Sequence, residues 1–104
     1  MEKIMRTGQE KHRRVVRMGM PQRRNVGRYL RDYCDTKYPG GQGMSRLSEK
    51  LRVSLSIVSL WCSGHRQIPV GRAIQLVHAT DGGLSIKKLR PDLDWELLRY
   101  YGNS

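Results

Sequence analysis

The sequence predicts an all-α fold, a small bundle of about four to five short helices that contains a helix-turn-helix and follows a basic N-terminal arm. Three observations lead there. Between Met44 and Trp61 two short amphipathic patterns meet at a break too small for an ordinary loop. Before and after that stretch, apolar residues recur at helical spacing and are interrupted by Pro39-Gly40-Gly41, Gly64 and Asp81-Gly82-Gly83. The chain is 104 residues long, which allows one domain with one modest core.

Residues 1–24 read as the arm. Lys3, Arg6, Lys11, Arg13, Arg14, Arg17, Arg23 and Arg24 are opposed only by Glu2 and Glu10. Gly8, Gly19 and Pro21 break the helix that Ile4, Val15, Val16 and Met18 would line, so a flexible tail is expected. Either the arm seeks phosphates or it is an upstream extension, with Met18 or Met20 as the start. The domain itself is expected over 25–95, with 96–104 as a short C-terminal helix and tail. Asn25 is the expected N-cap of the first helix, whose buried side carries Val26, Leu30, Tyr33 and Cys34.

In the first half of the helix-turn-helix, Leu47 and Leu51 share a face while Arg46, Glu49, Lys50 and Arg52 turn to solvent. Val53 plugs the turn and Ser54 caps the next helix. There Ile57, Val58 and Trp61 fall on one side of the wheel, and Ser56, Ser59 and Ser63 on the other, flanked by Leu55 and Leu60. Small hydroxyls between leucines make poor surface for a solvated helix but good surface for a groove. The bland alternative is a helical hairpin whose serines are merely exposed. Charge decides between them: a net +11 at pH 7 and a pI near 10.4 point first to nucleic acid.

After Trp61, Gly64 suits a left-handed helix end and Pro69 the first turn of the following helix, which would bury Ala73, Ile74, Leu76 and Val77. Leu84 and Ile86 alternate like a strand, yet Ser85 also suits the cap of a single helical turn through Leu89. Asp94 starts a last short helix with Trp95, Leu98 and Tyr101 on related faces, used for core closure or for a dimer contact.

Other chemistries fare poorly. Cys62 and His65 have metal-like spacing, but no second pair completes them, so no metal, cofactor or enzyme activity is expected. Asp92 and Asp94 read as turn and cap residues beside Pro91. Gly40-Gly41-Gln42-Gly43 lacks the strand that a phosphate-binding glycine loop would follow. Cys34 and Cys62 fall beside core positions, as reduced buried cysteines do. With no Phe, core aromatics must come from Trp61, Trp95 and the tyrosines. No apolar run has the length of a membrane span and no signal peptide is visible, so a cytoplasmic location is expected.

Arg52 to Trp61, with Ile68 and Pro69 beyond, resembles the Cro-like and YdaS-like regulators of temperate phages and prophages, and the segment from Ala79 to Trp95 is similar to that family's closing pattern. The resemblance covers roughly residues 43–95 and implies a Cro/lambda-repressor-like bundle that binds double-stranded operator DNA as a homodimer and represses transcription. It departs from the family at Ser48, where alanine is usual, at Arg52, where glycine is usual, and in the serines of the second helix. An activator or antitoxin-like regulator on the same fold, and a non-specific basic nucleic-acid binder, are the rival readings. In this architecture Ser54, Leu55, Ser56, Ser59, Leu60 and Ser63 would meet base edges. Gln42, Ser45, Arg46, Lys50, His65, Arg66 and Gln67 would meet phosphates, helped by Arg13, Arg14, Arg17, Arg23 and Arg24 of the arm. No membrane or small-molecule partner is implied.

Overall fold

The computed structural model describes residues 17–96. Arg13 and Arg14 of the expected arm, and Leu98 and Tyr101 of the expected last helix, lie outside that range. The described residues form five helices and no strand: α1 (Met20–Lys37), α2 (Gly43–Leu51), α3 (Leu55–Ser63), α4 (Val70–Ala79) and α5 (Ile86–Leu89). The all-α expectation holds.

α1 is the spine, and it starts earlier than Asn25. Gly19 takes the N-cap position and Pro21 sits in the first turn, where its missing N–H would have had no helical partner anyway. Pro21 therefore opens the helix that the sequence pattern has it break. Met18 is in the core, and its N–H donates to Gln67 Oε1 at 2.7 Å. Arg23 donates from Nη1 to the Met18 carbonyl at 2.7 Å and from Nε to the Gly64 carbonyl at 2.9 Å. Residues 18–24, expected in a flexible arm, thus belong to the folded body, and the boundary at residue 24 is corrected. The Met18–Gln67 and Arg23–Gly64 ties span 49 and 41 residues of sequence, so no local pattern signals them.

α1 packs on α3, α2 and α5; α2 packs on α3 and α4; α4 packs on α5. Leu30, Leu47, Val58, Trp61, Leu76 and Leu89 meet at the centre with almost no exposure. α1 and α3 approach closely at Gly27, where a Cβ would stand 2.6 Å from the Trp61 carbonyl oxygen and closer still to that of Cys62. Helix backbones cannot come so near past a side chain. α1 ends where expected, with Tyr38 N–H bonded to the Cys34 carbonyl just before Pro39.

The turn of the helix-turn-helix is closed by Arg52 in the left-handed conformation, φ 57° and ψ 44°, with its N–H on the Glu49 carbonyl and the Val53 N–H on that of Ser48. A non-glycine residue there costs roughly 1 kcal/mol. Val53 is half-buried against the core, as a plug should be. Ser48 is buried, and its hydroxyl is satisfied by the Ser45 carbonyl at 2.7 Å, so serine can stand where alanine is usual.

Two expectations about α4 need correction. Pro69 is its N-cap and not its first helical residue. Ile74 is 43% exposed, because the buried arc centres on Ala73 and Leu76 and leaves Ile74 well round the wheel. Asp81 at φ 55° and Gly82 at φ 82° then reverse the chain. The ambiguous stretch resolves as helix: Ser85 caps α5 through its carbonyl, which accepts from Lys88 and Leu89, while its N–H donates to the Tyr29 hydroxyl at 2.8 Å. Beyond α5, Arg90 is 2% exposed and forks onto Asp92 at 2.9 and 2.8 Å; its Nη1 donates to the Ile68 carbonyl at 3.0 Å. The Trp95 indole N–H donates to the Arg90 carbonyl at 2.8 Å.

Candidate nucleic-acid interface

α3 is amphipathic because its apolar residues recur at positions 58, 61 and 62. Val58, Trp61 and Cys62 are buried, Ile57 and Leu60 half-buried, and Leu55, Ser56, Ser59 and Ser63 exposed. The helix is capped at both ends. Ser54 Oγ accepts the Ile57 N–H at 3.2 Å, and Gly64 at φ 83° closes the C-terminus. Leu55 is 46% exposed, a large apolar side chain held out beside two hydroxyls.

The six residues expected to meet base edges divide by what their hydroxyls already do. Ser56 and Ser59 make no side-chain hydrogen bond among the described residues and point outward. Ser54 is committed to its cap. Ser63 donates to the Leu60 carbonyl at 3.1 Å and shares a 2.7 Å hydrogen bond with His65 Nδ1, so it braces the helix end. Leu55 is exposed and Leu60 half-buried at the flank.

The phosphate candidates divide similarly. Gln42 occupies the N-cap position of α2 with its side chain unused for capping, and Ser45 and Arg46 lie in the first turn. Arg46 is exposed and rests 5.9 Å over the Tyr38 ring. No acidic residue occurs in the first turn of α2, α3 or α4, so the unpaired N–H groups and positive dipole ends there are not neutralised. At the far end of α3, His65 and Arg66 are exposed. Two candidates are drawn elsewhere. Lys50 reaches the Ala79 carbonyl at the end of α4, at 3.3 Å, and Gln67 is half-buried with its oxygen on Met18 N–H. Of the described arm residues, Arg17 and Arg24 are exposed, while Arg23 braces Met18 and Gly64.

Arg17, Arg23, Arg66 and Arg90 also line an open groove of about 730 Å³ beside the end of α3, together with His65, Gln67, Pro69, Val70 and Leu93. Arg90 is neutralised by Asp92, whose carboxyl the Arg90 hydrogen bond holds below the ordinary range. The local partner Asp92 is two residues away, but the contact with Ile68, 22 residues away, has no signal in the sequence.

Cys62 and His65, spaced like half a metal site, serve different neighbours. Both cysteines are free and buried, and their thiols act on each other. That interaction, with burial, pushes the Cys62 thiol up, and the same interaction draws Cys34 down. His65 turns instead to Ser63. Among the described residues, no cluster of three or more His, Cys, Asp or Glu side chains could hold a metal ion. No described helix is long and apolar enough to cross a membrane.

A family model described as "Bacterial toxin YdaS" matches residues 36–98, from the end of α1 past α5. The chain belongs to the YdaS family. Within the YdaS family it is 40% identical, over 57 residues, to an Escherichia coli (strain K12) protein named "Putative transcriptional regulator YdaS". That stretch is 55% of this chain, and the chain spans 58% of the relative's length. No solved structure matches. The YdaS match takes in α2, α3, the bracing loop and the Arg90–Asp92 fork, but leaves most of α1 outside.

Proposed function

We propose that the protein is a sequence-specific double-stranded DNA-binding regulator of transcription, a Cro-like repressor of phage or prophage origin, acting as a homodimer on a palindromic operator. One observation carries the reading: α3 holds Leu55, Ser56 and Ser59 outward with both serine hydroxyls unused, between two positively charged helix-turn-helix ends at Arg46 and Arg66. In this reading α3 lies in the major groove and α2 crosses the backbone with its N-terminus toward a phosphate. The name of the Escherichia coli relative supports a regulator.

Serine bonds to any base type and leucine meets a thymine methyl, but neither has the bidentate reach worth about 1–3 kcal/mol per base pair. Readout per half-site is therefore modest, and two half-sites about 34 Å apart supply the rest. Selection from a random duplex library tests the proposal. It should return a two-fold symmetric site, bound at two chains per duplex. Enrichment of no sequence above random, or equal capture of structured RNA, would contradict specific DNA binding and favour a general basic binder.

A further inference from the structure

Three arginines outside the helix-turn-helix lie on one face of α1. Arg24, Arg28 and Arg31 are spaced i, i+4, i+7, which brings them within one stripe of the wheel, and all three are exposed. None makes a hydrogen bond or ion pair with another described residue. Asp35, one turn beyond Arg31 and also exposed, is not paired with it.

The stripe borders α3. Gly27, between Arg24 and Arg28, is the contact with the Trp61 and Cys62 backbone, and the Arg24 backbone and Cγ pass within 3.0 Å of where a Gly64 side chain would begin. Arg31 is close enough to Cys62 to act electrostatically on its thiol. One edge of the stripe thus follows α3 from Cys62 to its end at Gly64. Like charges at i, i+4 weaken a helix, and although Asp32 and Asp35 stand four residues after Arg28 and Arg31, neither forms an ion pair with them. A planar guanidinium matches a phosphate better than an ammonium does, and the stripe contains no lysine.

We propose that Arg24, Arg28 and Arg31 form a phosphate track along α1 that grips the backbone of the same duplex whose groove α3 occupies. The inference rests on the DNA-binding reading above and adds a contact surface outside the helix-turn-helix. The track carries no base information. It sets affinity and the salt dependence, and α3 sets preference.

The test uses the full chain with R24Q/R28Q/R31Q, glutamine keeping helix propensity, and measures affinity for one selected and one scrambled duplex across a sodium chloride series. Both affinities should fall by the same factor, and the slope of log K against log salt should flatten by up to about 2.7, at about 0.9 per phosphate. Lys87→Gln with Lys88→Gln removes two charges on the other side of α1, where Lys88 sits 5.5 Å over the Tyr29 ring, and should leave the slope nearly unchanged. Arg28→Gln alone, at an exposed position in the middle of the stripe, gives a reading if the triple variant unfolds. A wild-type slope in the variants, or an equal loss in the Lys87/Lys88 control, overturns the track while wild-type binding stands. Failure of the wild type to bind any duplex overturns both the track and the DNA-binding reading.

Discussion

The substitution Asp92→Asn is expected to lower folding stability by about 3 kcal/mol, the effect of stranding a buried charge. Arg90 is 2% exposed and its side chain has two partners, the Asp92 carboxylate and the Ile68 carbonyl. A neutral amide in place of the carboxylate would leave the buried Arg90 without its anionic partner. The effect should propagate, because Arg90 ties the residues after α5 to the segment between α3 and α4. Replacing both members, as in Arg90→Met with Asp92→Leu, should be less damaging than either single change, since no charge is then left unpaired. The same pair gives a pH signature. The folded Asp92 carboxyl is depressed by the Arg90 hydrogen bond, so its contribution is complete above the ordinary carboxylate value near 3.9 and is lost as pH falls through the lower folded value. Urea midpoints between pH 2 and 6 should show that acid loss in the wild type and its reduction in Asp92→Asn. Equal midpoints at pH 6 would contradict the clamp.

The second large effect is at Gly27. A methyl there meets backbone oxygens of Trp61 and Cys62, which cannot rotate aside as a flexible side chain would. Overpacking of that kind destabilises by roughly 3 kcal/mol at the upper end of its usual range, and alanine's better helix propensity offsets up to about 1, leaving about 2 kcal/mol. Gly71 is the control. It is also helical, but nothing lies within 4 Å of its Cβ position, so Gly71→Ala should stabilise by roughly 0.5–1 kcal/mol. Thermal melts that move both variants in the same direction would contradict the close α1–α3 contact. Because α3 is positioned by that contact, Gly27→Ala should also weaken duplex binding beyond what its stability loss explains.

The helices and their caps are legible in the sequence wherever the signal is local. Ser54 and Gly64 bound α3 as their residue types require, and Arg52 takes the left-handed conformation its place in the turn demands. The start of α1 is not legible, because a proline such as Pro21 opens a helix as readily as it ends one, and only the distant partners of Met18 and Arg23 decide. Ile74 misleads because apolar residues at 73, 74, 76 and 77 are wider than the face α4 buries. At the candidate site, the outward face of α3 is readable from its period. Which hydroxyls remain unused is not, since Ser63 and Ser59 look alike until His65 and Leu60 are placed around Ser63. The α1 stripe is hidden in the sequence because its first arginine, Arg24, runs on from the basic residues of the arm.

The most direct test of the account is the discrimination ratio of Ser56→Ala with Ser59→Ala, measured as affinity for the selected site over a scrambled site at several salt concentrations. The double variant removes the two unused hydroxyls and no charge. If α3 reads bases, the ratio should fall toward one while the salt slope stays at the wild-type value. If the ratio is unchanged, the serines are solvated spacers, and the assignment of sequence readout to α3 is contradicted.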